Sequence, residues 1–264
     1  MEQQADNVYT LVTGASAGIG KELALEFAKR KNKLFLVALP DSGLEEISES
    51  IRDEFGVEVE FLGIDLTLPE APQQVFDFAK SRGLNINILV NNAGIGFDGK
   101  YDELSMRQVD TMILLHVRVS SLLIYLFLPE MYKMEKAYIL NISSFAGMAP
   151  IPYKSIYSAT KGYLFYLSKA LSYELKSSNI KVITVYPSGV RTRRSLENIK
   201  KSSVMARITS MSPNEVAQTT VAGLYAGKKV LIPGIVTKFY YVLGYILPQG
   251  LLLRITSKIF QETN

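Results

Sequence analysis

The sequence contains no cysteine and no tryptophan, and a single histidine among 264 residues. Without cysteine there is no thiol nucleophile, no disulfide and no thiolate metal site, and the redox compartment stays open. One histidine makes a histidine-rich metal centre implausible, so no metal is expected. Strong charge of either sign is also missing. The formal net charge is +4, too small an excess to argue for nucleic acid without a clustered patch. Runs of about 18 uninterrupted apolar residues, which a spanning helix needs, are absent. The N-terminus, Met1 to Asn7, is polar and leads straight into an apolar run, so no signal peptide is expected. A cytoplasmic location follows as the expectation, with a reservation about the C-terminus.

What remains is a regular alternation. Short aliphatic runs predict strands at Val8–Thr13, Lys33–Ala38, Val57–Gly63, Ile86–Asn91, Ala137–Ile142, Lys181–Tyr186 and Val230–Pro233. Helical patterns fall between them at Ile19–Lys31, Leu44–Phe55, Ala71–Ser81, Met106–Tyr132, Tyr157–Ser177 and Pro213–Ala226. Strand, helix, strand in repetition predicts an α/β fold: a doubly wound, mostly parallel seven-stranded sheet of Rossmann type with helices on both faces. No linker, repeat or low-complexity tract divides the chain, so residues 1–264 are expected to form a single domain.

The first strand ends in Thr13-Gly14-Ala15-Ser16-Ala17-Gly18-Ile19-Gly20 and opens into a helix. A tight turn and a close backbone approach to a pyrophosphate both require glycine there. The helix start then offers unpaired N–H groups and a positive dipole end to the anion. Alone, a glycine-rich turn is weak evidence; its place after the first strand of a βαβ unit gives it weight. Further along, Tyr157 and Lys161 are four apart on a helical pattern and share one face. A phenol with a free pKa of about 10 is a poor acid or base at neutral pH, and a neighbouring ammonium favours its phenolate.

The spacing Gly-x-x-x-Gly-x-Gly resembles that of the short-chain dehydrogenase/reductase family. So do Asp65-Leu66, Asn91-Asn92-Ala93-Gly94, the Ser/Tyr/Lys set and Pro187-Ser188-Gly189-Val190-Arg191-Thr192, which occur in the family's order. The resemblance covers roughly Val8 to Pro233. It implies an NAD(P)-dependent oxidoreductase, with a hydride moving between the cofactor and a carbonyl or alcohol. Cofactor contacts are implied for Gly14, Ser16, Ala17, Gly18, Ile19 and Gly20, and for Asp65 and Leu66 at the adenine. The same holds for Asn91 and Gly94 on the cofactor floor with Asn92 and Ala93 between them, for Pro187 and Gly189, and for Val190 and Thr192 at the carboxamide. Tyr157 is implied as general acid or base and Lys161 as its partner, reaching the nicotinamide ribose. Ser144, thirteen residues before Tyr157, is implied as the serine that binds the substrate oxygen, with Ser143 as its competitor. The family's Pro-Gly is Pro187-Ser188 here.

The family also places an asparagine about 25 residues beyond the first Asn of its Asn-Asn-Ala-Gly motif, where it helps hold a water linking the lysine to solvent. Counting from Asn91 reaches His116, which is expected to take over that relay because imidazole both donates and accepts. A buried core histidine is the plain alternative. Cofactor choice turns on the end of the second strand, Val37-Ala38-Leu39-Pro40-Asp41, where no arginine stands and Asp41 falls late. Lacking a clear acid at the strand end, NADP(H) is preferred over NAD(H).

Substrate identity belongs to the variable parts. Arg191–Met211, with six basic residues against Glu197, reads as a lid, and it would suit an anionic carrier such as a coenzyme A phosphate. A solvated charged loop is the plain alternative. The tail over 235–260 is apolar and then amphipathic, fitting a membrane interface, a cover over an apolar substrate or a subunit contact. The resemblance implies a homodimer or homotetramer through the long helices. The leading expectation is an oxidoreductase acting on an apolar carbonyl or alcohol. A 3-oxoacyl-thioester reductase is the alternative enzyme, and a nucleotide-binding regulator without turnover is the alternative outside enzymes.

Overall fold

The structure is a computed structural model that describes residues 7–192 and 210–234, with 238, 248, 250, 251, 253 and 254 beyond. Among the described residues seven strands form one sheet: β1 (Val8–Thr13), β2 (Lys33–Ala38), β3 (Val59–Gly63), β4 (Asn85–Asn91), β5 (Ala137–Ile142), β6 (Ile180–Val185) and β7 (Val230–Leu231). Their order is β3-β2-β1-β4-β5-β6-β7, and every pairing is parallel. The direction of winding reverses between β1 and β4. In such sheets the crevice beyond the strands' C-terminal ends at that reversal is where ligands bind.

Helices follow the strands as α1 (Gly18–Lys29), α2 (Leu44–Phe55), α3 (Ala71–Ser81), α4 (Met106–Ile113), α5 (Ser120–Met131), α6 (Ser155–Glu174) and α7 (Pro213–Tyr225). Alternate strand residues serve opposite faces, as the period of two requires. Val12, Leu36, Val90, Leu140 and Val185 pack with Leu23, Phe27, Val221 and Leu224 from α1 and α7. Leu11, Phe35, Leu89, Ile139 and Val182 pack on the other face with Val75, Leu123 and Phe127 from α3 and α5. Burying each such side chain contributes about 2 kcal/mol, so these two layers hold the strand ends in register.

The sequence pattern predicts one helix over Met106–Tyr132; the structure breaks it. α4 and α5 are joined by a π-helical segment, Leu114–Val119, with His116 buried inside it. Such bulges gather at functional sites because the wider turn re-aims a side chain. Among the described residues, Met106–Met131 is the run long and apolar enough by composition to cross a membrane. Its Val119, Leu123, Phe127 and Met131 are buried in the core against the sheet.

Candidate active site

At the N-terminus of α1 the chain reserves its backbone. The helix begins after Ala17 with no side-chain cap and no acid in its first turn. α4 and α7, by contrast, are closed by capping boxes, Ser105 with Gln108 and Ser212 with Glu215. Open N–H groups at a helix start are an anion site in waiting. Gly14 and Gly18 hold φ of 67° and 55°, and a β-carbon on Gly20 would stand 2.1 Å from the Gly14 carbonyl oxygen. The turn therefore closes only with glycine at these places.

The neighbouring strand ends brace the turn. Thr13 Oγ1 donates to the Val90 carbonyl (3.0 Å) and accepts from the amides of Asn92 (3.0 Å) and Ala93 (3.1 Å). Asn92 Nδ2 donates to the carbonyls of Thr13 (2.8 Å) and Gly14 (3.3 Å). Asn91 lies below, donating to Asn141 Oδ1 at 2.8 Å, and Asn141 donates on to Ser168 at 2.9 Å. Asp65 Oδ1 accepts from both the amide and the hydroxyl of Thr67, fixing the turn after β3. From the far side, Thr192 comes over the glycine turn; its γ-methyl would be 3.2 Å from a β-carbon on Gly18. The structure thus gathers Gly14, Gly18, Gly20, Asn92, Ala93 and Thr192 in one place. The uncapped helix and a cradle that β-carbons would fill both fit a dinucleotide.

Across the reversal lies a corner made of side chains. Tyr157 is in the first turn of α6, which starts two residues earlier than the sequence pattern predicts. The Ser144 hydroxyl acts on the Tyr157 phenol and lowers its pKa, and Ser144 Oγ accepts from the Ala146 amide at 3.1 Å. Ser143 is spent elsewhere: its hydroxyl donates to the Lys161 carbonyl at 2.8 Å, and it is 2% exposed. Geometry therefore separates the two serines, with Ser144 on the phenol and Ser143 clasping α6 to the loop after β5. Lys161 is buried; its Nζ donates to the Ile142 carbonyl at 2.9 Å and stands 5.9 Å from the centre of the Tyr157 ring.

Within the protein chain, three influences act on the phenol. Burial pushes the Tyr157 pKa up, the Ser144 hydrogen bond pulls it down and the Asp98 carboxylate pushes it up again. Burial also drops Lys161 to about 7, so at neutral pH it is only partly an ammonium and gives its neighbour little help. The protein's own groups thus set a neutral phenol beside a lysine that titrates at about 7.

His116 is 1% exposed, with both ring nitrogens engaged. Nε2 accepts from the Ile95 amide at 3.1 Å, and Nδ1 faces Thr160 Oγ1 at 2.9 Å. Its ring meets that of Tyr157 edge-on, 5.7 Å between centres. Burial holds its pKa well below the usual histidine value, and the Lys161 charge adds to this. Gly94 fits the corner between these groups: a β-carbon there would be 2.6 Å from His116 Nε2 and 3.5 Å from Lys161 Nζ.

Three features escape the sequence reading. Thr160 is one, placed only by its contact with a residue 44 positions away. The second is the pinning of two loops around Tyr157: Lys154 pairs with Asp98 at 2.6 Å, and the Gly99 amide donates to the Tyr153 carbonyl at 2.9 Å. Gly96 lies against the Tyr157 ring, 3.3 Å from where its β-carbon would be. The third is a clasp at the base of the basic excursion. The Arg191 amide donates to the Met211 carbonyl (2.8 Å), its guanidinium reaches the Ser210 carbonyl, and it pairs with Glu215 at 3.6 Å. The middle of the predicted lid, 193–209, and most of the apolar tail, 235–260, lie outside the described residues.

A glycine cradle at the sheet's reversal, faced by a serine, a tyrosine and a buried lysine, defines a dinucleotide-binding α/β class. The chain belongs to the short-chain dehydrogenase family, whose model matches residues 9–202. The very-long-chain 3-oxoacyl-CoA reductase of Rattus norvegicus is 36% identical over 202 residues, which are 74% of this chain and 63% of that protein. The chain thus matches less than two thirds of that relative's length. A short-chain dehydrogenase from Sphingobium yanoikuyae, solved in complex with NADPH, is 32% identical with a TM-score of 0.78, over 92% of this chain and 94% of that one. A bulky-bulky ketone specific alcohol dehydrogenase from Comamonas testosteroni is 26% identical with a TM-score of 0.75, over 91% and 95%.

Proposed function

We propose that the protein is an NAD(P)-dependent oxidoreductase that reduces the 3-oxo group of an acyl thioester carrying a long apolar chain. The carrying observation is the Tyr157 phenol, with Ser144 acting on it from one side, one helical turn from buried Lys161 and opposite the glycine cradle. A nicotinamide dinucleotide bound in the cradle would supply the hydride. The chain's own residues do the rest. Ser144, whose oxygen already accepts from Ala146, has its proton to donate to the substrate carbonyl in place of the phenol. Tyr157, held neutral by burial, gives its proton to the oxygen as charge builds there, and the phenolate left behind favours the ammonium form of Lys161, which then stabilises it. The flanking loops carry Phe97, Phe145, Met148 and Tyr153, all half-buried, an apolar setting that suits an acyl chain.

The 3-oxoacyl substrate is favoured by the name of the rat relative, and a bulky ketone is the second reading by the name of the Comamonas structure. NADP(H) is the preferred cofactor because Leu39, 56% exposed, follows the end of β2 where an acid for the ribose 2′-hydroxyl would stand. Asp41 lies beyond it in a left-handed conformation, φ 53°. A homodimer or homotetramer contact belongs on α5 and α6, whose Tyr125, Tyr166 and Tyr173 are 74%, 71% and 70% exposed; sedimentation equilibrium measures it. Peripheral membrane contact is assigned to the apolar tail, and vesicle co-sedimentation is its measure.

The deciding assay follows NADPH and NADH consumption with 3-oxoacyl-CoA substrates of rising chain length and with bulky ketones. Consumption of NADPH that rises with acyl length supports the proposal. Turnover of the ketones alone favours the second reading. Tight NADPH binding with no consumption in any arm leaves a nucleotide-binding regulator.

A further inference from the structure

We infer that His116 is a positioning residue rather than a proton carrier: locked as the neutral Nδ1–H tautomer, it ties the loop after β4 to the first turn of α6 and thereby places Tyr157. The inference rests on the proposed reaction for its kinetic consequences and on geometry alone for its structural ones.

Three hydrogen bonds in series make the case. The Ile95 amide can only donate, so Nε2, 3.1 Å away, must present a lone pair. A neutral ring then carries its proton on Nδ1, which donates to Thr160 Oγ1 at 2.9 Å. Thr160 in turn donates its hydroxyl proton to the Tyr157 carbonyl at 3.0 Å. Donors and acceptors run in one direction from Ile95 to Tyr157, and no ring nitrogen is left to hold a water. Protonating Nε2 would set an N–H against the Ile95 N–H and a second cation near Lys161. Burial at 1% exposure and the Lys161 charge both oppose it. The groups around the ring agree with a fixed role. Tyr157 meets it edge-on from α6, Lys161 lies on the same helix, and Gly94 leaves room for Nε2 where any β-carbon would come within 2.6 Å. The wider π turn, Leu114–Val119, is what carries the imidazole at this point in the long helix. An asparagine at this position has one acceptor and one donor group too, so it can make the same two contacts from a shorter side chain.

Because the chain holds a single histidine, nitrogen-15 NMR of this 264-residue chain reads the ring without assignment. The expected spectrum shows a protonated Nδ1 and an unprotonated Nε2, unchanged from about pH 5 to about pH 8. A protonated Nε2, or a ring that titrates in that range, overturns the inference. Thr160→Val removes the acceptor of Nδ1–H and should move the Nδ1 resonance while the protein stays folded; an unmoved resonance also overturns it. In turnover, His116→Asn should keep kcat within about threefold, while His116→Leu should lower kcat by about tenfold or more with KM for NADPH little changed. Both profiles of kcat against pH should keep the wild-type midpoint, since a brace moves no proton; a shifted midpoint in His116→Asn would restore the relay. If the wild type turns over nothing, the proposed function fails, and the resonance arm alone still judges the brace.

Discussion

The two halves of the site are built from opposite materials. The cradle at the start of α1 is made by leaving side chains out: Gly14, Gly18 and Gly20 open the backbone, and no side chain caps the helix. The corner around Tyr157 is made by putting polar side chains in: Ser143, Ser144, His116, Thr160 and Lys161 are all buried, and each spends its polar atoms on a named partner. An absence can only be broken by adding volume, whereas a network is broken by removing an atom. Damage to the two halves should therefore differ in kind.

The largest effects test that difference directly. Gly20→Ala sets a methyl 2.1 Å from the Gly14 carbonyl, so the turn must open. NADPH affinity should fall by about tenfold or more, and thermal stability should fall with it. Tyr157→Phe removes one oxygen and adds no volume. Calorimetric NADPH affinity should stay near wild type, while kcat falls by about 10² to 10⁴. If Tyr157→Phe lost cofactor binding, or Gly20→Ala kept it, the division into a backbone half and a side-chain half would be wrong.

How much of this was legible in the sequence follows from the same division. A backbone cradle leaves a compositional trace, because glycine is the residue such a turn accepts; its position after β1 was readable at once. Tyr157 and Lys161 were readable because helical spacing fixes their common face. The corner's network was not, since hydrogen bonds such as His116 to Thr160 join residues 44 apart and leave no local pattern. Spacing marked His116 as important, but not the two committed nitrogens on which the inferred brace rests. The long helix shows another limit. A π segment shifts side-chain register without changing composition, so periodicity over Met106–Tyr132 reads as one helix where the structure has α4, the π turn and α5. The corner's burial left no trace for a different reason: the sequence puts a lysine beside the phenol, but not the packing that drops that lysine to about 7.

That buried lysine gives the middle-sized effect. Its folded pKa of about 7 lies below the unfolded value near 10.5, so the unfolded chain binds the extra proton between the two. Stability of the wild type therefore rises as pH climbs through that window and is lowest at and below about 7. Lys161→Met removes this dependence and forfeits the bond to the Ile142 carbonyl. Relative to wild type, the unfolding free energy of the variant should rise as pH falls from about 10 to about 7 and then level off, the change amounting to a few kcal/mol at about 1.4 kcal/mol per pKa unit; denaturant titration across pH measures it. A difference that stays flat with pH would mean Lys161 keeps its charge when the protein folds. In the cradle, Gly20→Ala should show no such pH dependence, because nothing there titrates on adding a methyl.

The smallest effect sharpens the comparison at the edge of the corner, where charge acts across a gap. Asp98 pushes the Tyr157 phenol up and is itself paired with Lys154 at 2.6 Å. The other groups facing the phenol are Lys161 from α6 and neutral His116 from the π turn. Asp98→Asn removes the negative charge, so the phenol's pKa falls and the pH profile for alcohol oxidation moves toward acid. Lys154→Met leaves Asp98 uncompensated, so the profile moves toward base. Both shifts should be below about one pH unit, because Asp98 is 40% exposed and salt screens it. Both substitutions break the same loop-to-loop pin, so a purely mechanical role would lower kcat in each without moving either midpoint. Opposite shifts that shrink as salt is added would show that even this peripheral pair reaches the reaction through charge, as no part of the glycine cradle can.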